Sequence, residues 1–258
     1  MNPAQYCMTS VAPTVAAVLG LPALAQATGA PIPDILADLR GAPRLALLAP
    51  DALGLFSFQH FAADMPFLRA RCQERMVILR AVLPSITPVN FCTMITGCAL
   101  AGHGVSSREM TPRCPTLFDL LAQAGRVGAG CGRPGYTGAQ LLARLAQLDG
   151  TAALPDDAAT EEVVLRLART ARPDFIIAQI GGTDDHFHRF GPRSESARPK
   201  VCEMDQRLER MCAALTGLGY AVIILADHGQ HETGDPGHPG SHGGEADEDC
   251  LVPCTWLG

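Results

Sequence analysis

Four short stretches of the chain are apolar almost without interruption: Leu45–Ala49, Met76–Val82, Phe175–Ile180 and Ala221–Ala226. A half-exposed strand alternates apolar and polar residues, whereas a strand buried on both faces does not, so these runs predict strands of a parallel sheet covered on both sides. The intervening segments carry helical spacing. Leu117, Phe118, Leu120 and Leu121 share one face of a helix over Thr116–Ala124 that stops at Gly125, and Glu161–Thr170 and Cys202–Leu215 are amphipathic in the same way. The pattern predicts an α/β/α sandwich around a central, mostly parallel sheet. Glycine-rich stretches at Gly128–Gly138 and Gly229–Gly244 read as loops, and no repeat or linker divides residues 1–258, so one domain is expected. The apolar segment Val11–Ala27 imitates a signal peptide, but no Lys or Arg precedes it, and Pro13, Gly20 and Pro22 interrupt it. A short helix over Thr14–Leu19 is predicted instead, and no run is long enough to span a bilayer.

With 258 residues, 47% of them hydrophobic, the chain can bury one large core. Its formal net charge of -6 is spread without a basic stripe, which argues against a nucleic-acid scaffold as partner. An anionic substrate would therefore need a local source of positive charge, such as bound metal. The ten cysteines are scattered and form no CxxC pair, which points to reduced thiols and a cytoplasmic location. The spacing of Cys250 and Cys254 leaves a disulfide or metal site there as the competing expectation.

In such a sheet ligands gather beyond the carboxyl ends of the strands, and the residues there are rich in metal-binding groups. Asp51 follows the first apolar run, Asp184 and His188 follow the third, and Asp227 and His228 follow the fourth. One Asp after a strand is usually a cap or turn, but three such positions with neighbouring histidines point to metal. Asp184 and His188 are spaced to share one face if the segment is helical and to reach one ion if it is a loop, and Gly229 is expected to free the backbone so that Asp227 and His228 both turn inward. His242 adds a further nitrogen. Carboxylate and imidazole donors without thiolate suit zinc first, and manganese or iron second.

The segment Ser85–Val105 reads SITPVNFCTMITGCALAGHGV. It resembles the nucleophile loop of the nucleotide pyrophosphatase/phosphodiesterases of the alkaline phosphatase superfamily, Thr-x-Pro-Asn-x-x-Ser/Thr-x-x-Thr-Gly followed by His-Gly-Ile. Aligned on Thr96-Gly97, the resemblance places Thr87 on the nucleophile and Asn90 on the residue that holds a phosphoryl oxygen, with His103-Gly104-Val105 as the closing element. The family's proline falls on Val89, and Pro88 stands one position earlier. Asp51, Thr183–Pro192 (with Thr183 in place of a proline), Asp227–Gly229 and His242-Gly243 match the remaining motifs, so the likeness spans residues 44–258. It implies an alkaline phosphatase-like fold and two zinc ions, one held by Asp184, His188 and His242 and the other by Asp51, Thr87, Asp227 and His228. Two dications against three carboxylates leave a formal charge of about +1 to receive an anion. The implied reaction is hydrolysis of a phosphodiester or pyrophosphate bond in a small phosphorylated substrate, nucleotides included, through a phosphothreonine on Thr87. His186, His231 and His238 compete as ligands, while His103 is expected to be structural.

A phosphomonoesterase, phosphonate hydrolase or phosphomutase would use the same metal pair, and a metal-binding protein without turnover is the alternative of a different class. A sulfatase is excluded by the lack of a Cys-x-Pro-x-Arg segment. A substrate-gripping cap is expected from residues 128–160. Finally, residues 10–36 resemble a segment that superfamily members carry after the last zinc histidine. The chain would then be circularly permuted, which requires that segment to lie near a strand at 251–257.

Overall fold

The aliphatic runs form strands, and the burial that their composition demands is nearly complete. In the computed structural model, which describes residues 3–258, the strands are β1 (Gln5–Cys7), β2 (Leu45–Pro50), β3 (Val77–Arg80), β4 (Gly128–Gly132), β5 (Leu148–Thr151), β6 (Phe175–Ile180), β7 (Ala221–Leu225), β8 (His231–Asp235), β9 (His238–Ser241) and β10 (Leu251–Leu257). The helices are α1 (Val11–Val18), α2 (Pro33–Leu39), α3 (Leu55–His60), α4 (Pro66–Glu74), α5 (Thr87–Thr96), α6 (Leu100–His103), α7 (Leu117–Gln123), α8 (Asp157–Thr170), α9 (Gly182–Phe190), α10 (Arg198–Gly217) and α11 (Asp247–Cys250). Every residue of β2, β6 and β7 is buried.

Eight strands form one sheet in the order β1-β3-β10-β7-β2-β6-β4-β5, and all run parallel except β10, which is antiparallel to both β3 and β7. Parallel neighbours need crossovers, and the helices between successive strands supply them on the two faces. Because β7, β2 and β6 are adjacent and parallel, the residues that follow them emerge side by side at one edge. Strand β10 enters at the carboxyl end of β3, where Leu251 pairs with Arg80, so the loop before it also lies over that edge.

Two glycine-rich segments differ from expectation. Gly128–Gly132 is not a loop but the buried strand β4, between β6 and β5. A π-helical segment, Gly138–Ala143, packs backbone against it, and a Cβ at Gly130 would overlap the Leu142 carbonyl group. Glycine here serves close approach, which removes the apolar signature a buried strand normally carries. With β4 and β5 in the sheet, residues 128–160 are not a cap. The stretch 229–244 is likewise not all loop, since it contains the β8–β9 hairpin. The N-terminal helix spans Val11–Val18, slightly earlier than predicted. Just beyond residues 10–36, Asp38 Oδ2 of α2 accepts from Trp256 Nε1 of β10 at 2.8 Å.

The segment before β2 supports helix α5. Met8–Ser10 and α1 pack on α5, and Thr28 N donates to Gly97 O at 2.9 Å. All ten cysteines, Cys250 and Cys254 included, are free thiols. No described helix is long and apolar enough to cross a membrane.

Candidate metal centre

Helix α5 explains the shifted proline. Thr87 is its first residue and Pro88 its second, where a missing N–H costs no helical hydrogen bond, and Val89 points into the core. Gly97 ends the helix with φ 72°, and Gly104 ends α6 with φ 74°, so the Thr-Gly and His-Gly pairs of the motif are helix stops. His103 is fully buried: Val105 N donates to its Nδ1 at 3.0 Å, which leaves Nε2–H to face Thr93 Oγ1 at 3.3 Å. Burial lowers its pKa from 6.5 to about 4. Below pH 6.5 the unfolded chain gains a proton that folded His103 refuses, so stability falls as pH drops from 6.5 towards about 4. Its share of that slope is at most about 1.4 kcal/mol per pH unit. Urea midpoints measured across this range should fall less steeply in His103→Gln than in wild type, and equal slopes would remove the residue from that role.

Asp51, Asp184 and Asp227 converge because the strands they follow are adjacent. Each carboxylate has an oxygen held by a neutral donor. Gln179 Nε2 donates to Asp51 Oδ2, Ala52 N donates to Asp227 Oδ1 at 3.2 Å, and Gln230 Nε2 donates to Asp184 Oδ1 at 2.6 Å. Ala52 delivers its N–H from a left-handed backbone, φ 59°, which is strained for a residue with a Cβ. Asp51 Oδ1 and Asp227 Oδ2 are buried with no hydrogen-bond partner. Burial, followed by the charges of Asp227 and Asp184, pushes the Asp51 pKa well above the usual carboxylate range.

The histidines are oriented by a common device. His188 Nδ1 lies 3.1 Å from Gly240 O, His228 Nδ1 3.0 Å from Gly229 O, and His242 Nδ1 3.0 Å from Ser85 O. A carbonyl only accepts, so each Nδ1 carries a proton and each ring turns its Nε2 inward. Burial, then the neighbouring His228, lowers the His242 pKa to about 3, which keeps that ring neutral.

The inward atoms form two adjoining groups. His188 Nε2 is 3.4 Å from Asp184 Oδ1 and 3.1 Å from His242 Nε2, which is 3.7 Å from Asp184 Oδ1. His228 Nε2 is 3.3 Å from Asp227 Oδ2, 3.8 Å from Asp51 Oδ1 and 3.1 Å from Thr87 Oγ1. His228 also lies within ligand reach of Asp184 and His242, its ring stacked on His242 at 4.0 Å, so the two groups share a wall. Ligand atoms about 2.1 Å from one tetrahedral ion lie roughly 3.4 Å apart. The observed separations fit that spacing. Buried carboxylate oxygens without partners are a costly arrangement that a cation would relieve.

Thus Asp51, Thr87, Asp184, His188, Asp227, His228 and His242 meet in one cluster. Asn90 does not join it. Its Oδ1 accepts from Val82 N at 2.9 Å, and its Nδ2 donates to Val82 O at 3.2 Å and Ile86 O at 3.3 Å, so no donor is left for a phosphoryl oxygen. Asn90 instead ties the end of β3 to the start of α5. The competing histidines also lie elsewhere: His186 donates to Gly182 O, His231 bonds Asp249 at 2.7 Å, and His238 is exposed on β9. Gly229 is required by close approach, since a Cβ there would overlap Glu248 O, rather than by the backbone freedom expected of it.

Three supporting residues escaped the sequence reading. Gln179 and Gln230 are described above, and Asp249 Oδ2 accepts from Gly244 N at 3.0 Å, fixing the loop after His242. A glutamine inside the otherwise aliphatic β6 was the one visible signal, because a buried polar side chain needs a partner. An open cavity of about 350 Å³ is lined by Asp51, Thr87, Asp184 and Gln179 together with Arg108 and Tyr136.

The sheet, its crossovers and the cluster beyond β2, β6 and β7 define an alkaline phosphatase-like fold. Residues 135–241 match the family model described as type I phosphodiesterase / nucleotide pyrophosphatase, and the chain is similar to that family. Phosphonoacetate hydrolase from Sinorhizobium meliloti, solved with phosphonoformate, superposes with a TM-score of 0.60 at 23% identity, covering 77% of this chain and 60% of that one. Murine ectonucleotide pyrophosphatase / phosphodiesterase 5 superposes with a TM-score of 0.59 at 13% identity, covering 73% of this chain and 58% of that one. Among curated proteins, GPI ethanolamine phosphate transferase 2 of Candida albicans is 38% identical over 73 residues, 28% of this chain and 8% of that protein. The chain therefore spans about three-fifths of these solved structures and a small part of the curated relative.

Proposed function

We propose that the protein is a metal-dependent hydrolase that cleaves a phosphodiester or pyrophosphate bond with Thr87 as nucleophile. One observation carries the reading: three imidazoles and three carboxylates point ligand atoms at two adjoining positions, with the Thr87 hydroxyl at one of them. Two zinc ions held there, by Asp184, His188 and His242 and by Asp51, Asp227, His228 and Thr87, would offset the carboxylate charge, favour the ionised hydroxyl and polarise the phosphoryl group. Thr87 Oγ then attacks phosphorus as the bond to the leaving-group oxygen breaks, giving a phosphothreonine that water hydrolyses to regenerate the hydroxyl. Helix α5 fixes the direction of attack, and the open cavity admits the leaving group. An inactive threonine-to-alanine form of the murine neighbour was solved with AMP, which supports both the nucleophile and a small phosphorylated substrate such as a nucleotide. The ten free thiols fit a reducing compartment such as the cytoplasm.

The likeness to phosphonoacetate hydrolase favours a second reading, phosphonate hydrolysis at the same centre. Zinc-loaded protein assayed on bis-p-nitrophenyl phosphate, p-nitrophenyl phosphate and a p-nitrophenyl phosphonate ester separates them. The diester should have the highest kcat/KM. A faster phosphonate ester or monoester would reassign the substrate, and failure on all three with metal bound would leave a metal-binding protein without turnover.

A further inference from the structure

Gln230 lies directly after His228-Gly229, yet its side chain serves the other group of ligands. It is 2% exposed, and its Nε2 donates to Asp184 Oδ1 at 2.6 Å and approaches Asp184 O at 3.4 Å. Its Oε1 is buried without a partner and lies against Gly240, where a Cβ would crowd it. Gly240 is also the residue whose carbonyl receives His188 Nδ1. The amide is therefore wedged between α9, which carries Asp184 and His188, and β9, which orients His188.

We propose that Gln230 is a positioning residue for the Asp184–His188–His242 half of the centre, holding the Asp184 carboxylate with Oδ1 turned towards the two imidazoles. This rests on the metal-centre reading above. A neutral amide suits the task because it orients the carboxylate without cancelling its charge. A Lys or Arg in the same place would compete with the cation for Asp184. Without the amide, Asp184 regains rotation about its side-chain bonds, and ordering it falls to the ion. Such supporting donors typically contribute about 10–100-fold to metal affinity.

The test is a zinc titration of the metal-free full chain against a competing chromophoric chelator, for wild type, Gln230→Met and Asp184→Asn. Methionine keeps the length of the side chain and removes the donor. Gln230→Met should bind zinc about 10–100-fold more weakly at one of two sites, keep its affinity at the other, and keep the metal-free melting temperature. If Gln230→Met does not fold, Gln230→Asn, whose shorter amide falls short of Asp184, takes its place with the same expected result. Unchanged zinc affinity in the Gln230 variant, with a loss in Asp184→Asn, overturns the positioning role and leaves the centre intact. Equal weakening at both sites also overturns it, because it marks a general packing role. No loss in Asp184→Asn overturns the metal-centre reading itself.

Discussion

Thr87→Ala is expected to lower kcat on an activated diester by at least about a thousandfold while leaving zinc content nearly unchanged. Losing a nucleophile removes the covalent route, and such losses in other hydrolases reach several orders of magnitude. The side chain has little else to do. Its hydroxyl makes one side-chain contact, to His228 Nε2 at 3.1 Å, and it occupies the first turn of α5, where alanine is well tolerated. Asp51, Asp227 and His228 remain to hold the ion at that position, so metal analysis and turnover should separate. Thr87→Ser should keep part of the activity, since the oxygen survives and only the methyl group that restrains its rotamer is lost. Wild-type turnover in Thr87→Ala would exclude Thr87 as nucleophile, whereas joint loss of zinc and activity would make it chiefly a ligand.

The central sheet was legible because parallel strands buried on both faces are almost wholly apolar. Phe175–Ile180 was bounded correctly at both ends, and Leu45 and Ala221 were the correct starts of β2 and β7. Strand β4 was illegible for the opposite reason. Its GAGCG sequence has Gly130 and Gly132 covered by another segment's backbone, and nothing in a glycine run distinguishes that from a turn. The polar, exposed hairpin β8–β9 owes its form to α9, against which β9 packs, and that contact has no periodicity to read. Among the site residues, those directly beyond β2, β6 and β7 were legible because topology alone brings them together. Asn90 shows where motif alignment stops: it fixes a position on α5 but not what the amide finds there. The unpaired Val82 backbone groups at the end of β3 claim it. Gln230 was illegible because its amide reaches across to another element, a relation absent from local spacing.

Asp51→Asn is expected to invert the usual effect of a site mutation: more stable than wild type without metal, yet deprived of most metal-dependent stability and activity. In the metal-free protein Asp51 Oδ1 is buried, unpartnered and close to two other carboxylates, so its charge opposes folding. Asparagine keeps the shape. Its oxygen can accept from Gln179 Nε2 in place of Asp51 Oδ2, and its NH2 then faces the cluster that holds the unpartnered Asp227 Oδ2. Removing one buried charge should raise the metal-free melting temperature by a few degrees, since about 1 kcal/mol corresponds to roughly 2–4 °C in a chain of this size. Zinc reverses the order. An ion present at about a thousand times its Kd adds about 4 kcal/mol to wild type, and a variant that binds it far more weakly gains little. Turnover should fall at least about a hundredfold, because supporting a bound ion with one carboxylate fewer weakens it at the position nearest Thr87. Melting curves of both proteins with EDTA and with excess zinc test this, and the two orders of stability must cross. If Asp51→Asn melts below wild type in EDTA, the repulsion inferred from the orphaned oxygens is absent. If zinc raises both proteins equally, Asp51 is not a ligand.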